Sequence, residues 1–192
     1  DYSLHSIAWL IAGLSFGWKM VPIVSKSSAV INIRKNVSNA TFRVSPENSW
    51  GLERISEDVP DIQTHKLSES GVVLFSSGTT GKPKAMCKSM NSMLKGVENQ
   101  KGKSVTMGLL LLFDHIGGLN TLFAGIRKSA HLVAPSQRSP RIMASLIEKY
   151  AVRVLPCSPT FLNMMYLDDV FDEFNLQSLK LITYGTERMP EE

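Results

Sequence analysis

The sequence predicts an α/β fold, a mostly parallel sheet with flanking helices, and three observations carry that expectation. Short apolar, β-branched runs such as Val72 to Phe75 and Val152 to Leu155 have the length and composition of buried strands. Between such runs lie stretches with apolar residues at helical spacing. Met90, Met93, Leu94 and Val97 form one; Ile142, Met143, Leu146, Ile147 and Tyr150 form another. Ser139-Pro140 and Ser158-Pro159 each place a capping residue ahead of a proline at the first helical position. Strands that alternate with helices imply crossover connections, and crossovers produce parallel neighbours.

In chain order, a helix is expected from about Leu4 to Trp18, followed by a strand from Met20 to Val24. The apolar run Ile7 to Trp18 is shorter than the roughly 20 residues a bilayer requires, and Lys19 closes it. No basic residue precedes it and no small-residue cleavage site follows, so it reads as a buried helix rather than a signal peptide. The stretch Lys26 to Glu69 is polar and lacks a clear period. After it come the strand Val72 to Phe75, the loop Ser76 to Lys84, and a helix capped by Ser89. A long strand over Val105 to Phe113 follows, then a turn at Gly117-Gly118 and a helix through Leu122, Phe123 and Ile126. His131 to Ala134 is strand-like, and Ser139-Pro140 opens the next helix. The strand Val152 to Leu155, a helix through Leu162 and Met165, and a strand over Leu179 to Tyr184 complete the pattern.

At 192 residues, 43% hydrophobic and 20% charged, the chain has room for one large domain or two small ones, without signs of disorder. Its net charge is +4, and six lysines between Lys82 and Lys103 face a single acid, Glu98. Such a patch suits phosphorylated small molecules, nucleic acid or plain solvent. No aromatic residues interleave with those lysines, so a single-strand binding platform is not expected, and no nucleic-acid partner is assigned. Cys87 and Cys157 lie far apart without a CxxC partner, which points to a reducing compartment, the cytoplasm. The four histidines, His5, His65, His115 and His131, make no metal-ligand spacing, so no metal held by the protein alone is expected.

The nonapeptide Ser76-Ser77-Gly78-Thr79-Thr80-Gly81-Lys82-Pro83-Lys84 holds the clearest chemistry. It is expected at the carboxyl end of a parallel strand, where open α/β sheets bind ligands, with a helix after it. Two glycines allow the backbone to turn tightly and approach a ligand. Four hydroxyls and the exposed amides of such a turn make an anion nest. Lys82 and Lys84 supply positive charge, and Pro83 stiffens the exit. Together these features favour a polyphosphate. A Walker A loop is excluded, because only two residues separate Gly78 from Gly81 and Pro83 stands where a hydroxyl would be needed.

This nonapeptide resembles the signature of the adenylate-forming (AMP-binding) superfamily of acyl-CoA synthetases, peptide-synthetase adenylation domains and luciferases. The resemblance covers roughly residues 7 to 192 and is firm from residue 70 onward. It implies that Thr79, Thr80, Gly81 and Lys82 cradle the β- and γ-phosphates of ATP, with Ser76, Ser77, Gly78 and Lys84 supporting the loop. Leu112 to Gly118, LFDHIGG, resembles a segment of acyl-CoA and aryl-CoA ligases in which the histidine borders the acid, and His115 is the match. Asp114 departs from that pattern; it is similar to the aspartate that holds the ammonium of an amino acid, or else caps the following helix. Gly117 belongs to the same acid-binding segment. Ser158-Pro159-Thr160 resembles the start of a helix lining the acid pocket. Leu179 to Pro190 resembles a segment beside the adenine, which places Gly185, Thr186 and Glu187 on the adenine side, with Glu187 not assigned as a metal ligand.

The resemblance implies a carboxylic acid attacking the α-phosphorus of ATP bound with Mg2+, giving an acyl-adenylate and pyrophosphate. The acyl group then passes to a thiol, that of coenzyme A or of phosphopantetheine on a carrier protein. The partners implied are a small carboxylic acid and, for the second thiol, that carrier. Family members are more than twice this length, so residues 1–192 are expected to be part of the large N-terminal domain, with 1–69 the less regular portion and 70–192 the nucleotide- and acid-binding α/β part. The C-terminal domain and its lysine lie outside this sequence, so no catalytic residue is assigned and turnover by this chain alone is not expected. A non-catalytic relative that binds an acid or a partner is the alternative. A hydrolase is a weaker one: Gly13-Leu14-Ser15-Phe16-Gly17 spells a nucleophile elbow, but Ser15 sits late in a helix-like run rather than between a strand and a helix.

Overall fold

The computed structural model describes residues 2–56, 70–76, 83–98 and 104–185. The chain divides into two compact units, Asp1–Met93 and Leu94–Glu192.

In the first unit, helix α1 (Leu4–Ser15) starts at a reciprocal cap. The Ser6 amide donates to Ser3 Oγ at 3.0 Å, and the Ser3 amide donates to Ser6 Oγ at 2.9 Å. Leu10, Gly13 and Leu14 form its buried face. A Cβ on Gly13 would come within 2.2 Å of Met20 Sδ, so the glycine serves close packing. Ser15 is the last helical residue and its hydroxyl donates to the Ile11 carbonyl at 2.9 Å. Ser15 therefore follows eleven helical residues rather than a strand, which a nucleophile elbow would require.

Strand β1 (Lys19–Met20) follows, shorter than the expected Met20 to Val24. The aperiodic region contains helix α2 (Ser28–Ser38), which has no fully buried residue, and an antiparallel hairpin of β2 (Phe42–Val44) and β3 (Leu52–Arg54). These elements are short and mostly exposed, so they leave little hydrophobic pattern to read. Strand β4 (Gly71–Ser76) runs parallel to β1, with Gly71 to Leu74 buried. One expectation needs correction here. The chain does not pass from the loop into a helix but returns as strand β5 (Lys84–Ser89), antiparallel to β4. Helix α3 (Met90–Glu98) comes only afterwards, with the Ser92 amide donating to Ser89 Oγ at 3.2 Å as the capping pattern implied. The sheet order is β1-β4-β5.

The second unit is the regular α/β part. It contains β6 (Thr106–Gly108), α4 (Ile116–Arg127), β7 (His131–Val133), α5 (Pro140–Tyr150), β8 (Val154–Cys157), α6 (Pro159–Leu167), α7 (Val170–Glu173) and β9 (Leu181–Tyr184). All strands of this sheet are parallel, in the order β7-β6-β8-β9. The expected strand Val105 to Phe113 shrinks to three residues. Leu109 still donates to the Val133 carbonyl at 2.8 Å, but the chain then leaves the ladder while Leu109, Leu110 and Phe113 stay buried. Burial without pairing explains why an apolar run suggested a strand. Gly117 and Gly118 lie inside the first turn of α4 rather than in a separate turn. A core that includes Leu110, Met143, Ile147, Val152, Leu155 and Phe161 fills the space beside the sheet.

Helix starts follow the sequence closely. Pro140 and Pro159 stand in the first turns of α5 and α6. Ser158 accepts from the Phe161 amide at 3.2 Å, whereas Ser139 caps through backbone alone. Arg141 of α5 and Glu173 of α7 form an exposed ion pair, and the Arg141 guanidinium lies 5.6 Å from the centre of the Phe174 ring.

Candidate functional site

In the second unit the chain runs from β6 to β7 on one side, then returns to β8 on the other side of β6. A crevice beyond the carboxyl ends of β6 and β8 is therefore at a topological switch point, the place where open α/β sheets bind ligands. A cavity of about 200 Å³ is found there, lined by Leu111, Gly117, Thr121, Pro156, Cys157, Thr183, Tyr184 and Gly185.

Each wall has a local cause. Leu111 sits in the connection that leaves β6. Gly117 and Thr121 lie one turn apart on α4, and Thr121, 8% exposed, donates its hydroxyl to the Gly117 carbonyl at 2.8 Å. That bond ties up the hydroxyl's proton, so toward any ligand Thr121 can only accept. Pro156 and Cys157 end β8, and Thr183, Tyr184 and Gly185 end β9. Cys157 pairs in register with Tyr184, so the fully buried thiol and the 56% exposed ring belong to adjacent strands. Burial pushes the Cys157 thiol up to about 11. It is accordingly a neutral wall at physiological pH, not a nucleophile. Among the described residues, a Cβ built on Gly185 would meet nothing within 4 Å.

The sequence-assigned residues distribute as follows. Gly117 and Gly185 meet in this one cavity. His115 is the N-cap of α4, its Nδ1 accepting from the Gly117 amide at 3.1 Å. Asp114, half-buried, is not the cap of that helix, because His115 takes the position. Thr186 and Glu187 lie outside the described residues. Ser76 ends β4 and Lys84 opens β5, and the two are partners across the antiparallel ladder of the first unit. Ser77, Gly78, Thr79, Thr80, Gly81 and Lys82 lie outside the described residues. Among the described residues no group of three or more His, Cys, Asp or Glu side chains could hold a metal ion, and no helix is long and apolar enough to cross a membrane.

The sequence profile of the AMP-binding enzyme family matches residues 22–192. The chain belongs to the AMP-binding enzyme family. Among curated relatives, 4-coumarate-CoA ligase 1 of Narcissus pseudonarcissus is 28% identical over 162 residues, 77% of this chain and 29% of that protein. Probable 4-coumarate-CoA ligase 2 of Dictyostelium discoideum is 30% identical over 139 residues, 67% of this chain and 25% of that protein. The chain thus spans between a quarter and a third of the length of these relatives. Its fold is similar to a red-emitting luciferase of Phrixothrix hirtus, with TM-score 0.76 and 17% identity over 98% of this chain and 45% of that one. It is similar too to o-succinylbenzoate CoA synthetase of Bacillus subtilis in complex with its acyl-adenylate intermediate, with TM-score 0.71 and 18% identity over 98% of this chain and 54% of that one. At such identities the structural likeness carries the fold alone.

Within this AMP-binding chain, the cavity holds Gly117 and Gly185 of the sequence-assigned residues, and its other walls, Leu111, Thr121, Pro156, Cys157, Thr183 and Tyr184, were not singled out as site residues from the sequence. Thr121 was within reach, since it lies four residues after Gly117 on the same helical face. Ser158-Pro159-Thr160 opens α6 as the sequence implied, directly after the strand end that lines the cavity. Ser158 is occupied as a cap, and the wall is made by Pro156 and Cys157.

Proposed function

We propose that this protein activates a carboxylic acid as its acyl-adenylate, with ATP and Mg2+, and that the acyl group then passes to a thiol. The observation that carries this reading is the cavity at the switch point, where Gly117 of the acid-binding segment and Gly185 of the adenine-side segment share one space. ATP supplies the electrophilic phosphorus. The chain's residues bind and orient. The end of β9, where the Tyr184 ring and Gly185 line the cavity, suits the flat face of an adenine. The neutral, partly apolar wall of Leu111, Pro156 and Cys157 suits an uncharged acyl body. Mg2+ would arrive as the counter-ion of the nucleotide rather than as a resident metal.

The nonapeptide Ser76 to Lys84 supports a triphosphate partner, with Thr79, Thr80, Gly81 and Lys82 as the cradle. Its two described ends, Ser76 and Lys84, are held side by side by the ladder. A loop anchored in this way loses less entropy when it meets phosphate. Little covalent work falls to the protein; positioning and cancellation of charge lower the barrier.

The curated relatives are named for 4-coumarate and coenzyme A, so an aryl acid and the thiol of coenzyme A are the first substrates to test. Acid-dependent exchange of pyrophosphate into ATP is the experiment, run across aryl, fatty and amino acids on the intact gene product and on these 192 residues alone. Exchange by the intact protein and silence from the 192 residues is the expected result. Silence from both, with the intact protein well folded, overturns the catalytic reading and favours the binding relative.

A further inference from the structure

The wall at Leu111 is held by a residue outside the cavity. Leu110 is 3% exposed, and its backbone has already left the sheet, so its buried carbonyl requires a donor from elsewhere. Arg138, half-buried on the connection between β7 and α5, supplies it: Arg138 Nε donates to the Leu110 carbonyl at 2.8 Å across 28 positions of sequence. The next residue, Leu111, lines the cavity. Its Cδ1 lies 3.0 Å from where a Cβ on Gly117 would stand, so the Leu111 side chain rests directly against the first turn of α4. A physical chain thus runs from the guanidinium to one carbonyl, to the adjoining side chain, and to the space between Gly117 and Cys157.

We propose that Arg138 is a positioning residue that fixes the Leu111 wall and so sets the shape of the cavity. Its consequence for acid binding rests on the function proposed above; its hold on the wall does not. A charged donor to a buried carbonyl is stronger than a neutral one, and its loss leaves that carbonyl unsatisfied unless the loop moves. Movement of the loop displaces Leu111 and opens the cavity toward Cys157.

Cys157 reports the wall directly, and Cys87, in the first unit, is the internal reference. The test compares rates of modification by methyl methanethiosulfonate at each cysteine, read by peptide mass spectrometry, in the native protein, Arg138→Met and Arg138→Lys. The expected result is a rise in the Cys157 rate of about ten-fold or more in Arg138→Met, as for loss of a hydrogen bond to a charged group, with Cys87 unchanged. Arg138→Lys, which keeps a cationic donor, falls between. Equal rates at Cys157 in native protein and a folded Arg138→Met variant overturn the proposal, and so does a parallel rise at both cysteines. If Arg138→Met does not fold, Arg138→Lys and Leu111→Ala decide the matter: faster Cys157 labelling in both supports the proposal, and faster labelling in Leu111→Ala alone overturns it. Pyrophosphate exchange separates the two readings. A raised KM for the acid in Arg138→Met, with KM for ATP unchanged, agrees with both. Absence of exchange in the native protein removes the proposed function and leaves the labelling result standing.

Discussion

His115 Nδ1 accepts a hydrogen bond from the Gly117 amide at 3.1 Å, which makes the imidazole the cap of α4. The ring that the family resemblance sets beside the acid is therefore also structural. The two roles separate by substitution. His115→Asn retains a side-chain acceptor suited to an N-cap, whereas His115→Ala removes it at a cost of about 1 kcal/mol. Thermal unfolding should rank native and Asn variants together, with Ala lower. If the ring also contacts the acid, both variants raise KM for the acid. An Asn variant with native KM limits His115 to capping.

Gly117 admits no side chain without displacement. A Cβ there would stand 3.0 Å from Leu111 Cδ1 and 3.3 Å from His115 Nδ1. Gly117→Ala gains helix propensity of up to about 1 kcal/mol while crowding the cavity, so the two effects on stability oppose each other. The expected outcome is a Tm close to native with preference shifted toward smaller acids. A variant whose acid preference matches the native protein removes Gly117 from the acid site.

Lys82→Ala should weaken use of ATP while leaving the fold intact, because the lysine's proposed role is countercharge to the β- and γ-phosphates. KM for ATP is expected to rise roughly ten-fold or more, as for loss of a charge-assisted hydrogen bond, with far-UV circular dichroism unchanged. AMP, which lacks those phosphates, should bind as before. An unchanged apparent affinity for ATP counts against the assignment.

Burial holds the Cys157 thiol near 11, above the ordinary thiol value of about 8.5. The unfolded chain therefore loses this proton at lower pH than the folded one. Stability from this group is full below about pH 8.5 and falls as pH rises toward 11, by on the order of 2 to 3 kcal/mol at the end of the window. Cys157→Ala, lacking the thiol, should show a smaller loss of stability between pH 8.5 and 11 in denaturant titrations. Equal slopes in the two proteins would refute the buried, neutral thiol.

The second unit was the more legible part, and particular residues show why. Pro140 and Pro159 announce their helices because proline fits a first turn and little else in a helix. Val154 to Cys157 and Leu181 to Tyr184 were found within two residues because parallel strands keep apolar runs. The first unit resisted because α2 buries no residue fully and β2 and β3 have three residues each, too short for a period to repeat. Strand β5 left no signal because Lys84 to Ser89 lies at the edge of its sheet among the described strands, mostly exposed and carrying Lys84 and Lys88. Edge strands resist unwanted pairing by holding such charges, and the same charges erase the pattern that marks a strand.

By itself, the sequence determined the α/β class and the family, and it supplied the nonapeptide on which the proposed phosphate role rests. These depend on local patterns: strand composition, helix caps, and a run of glycines, hydroxyls and lysines. Tertiary structure alone decided that His115 rather than Asp114 caps α4, that Thr121 and Cys157 share a cavity with Gly117 and Gly185, and that Arg138 holds the carbonyl beside that cavity's wall. The strand order β7-β6-β8-β9 brings together strand ends tens of residues apart, and a hydrogen bond spanning 28 positions leaves no periodic trace in the sequence that forms it.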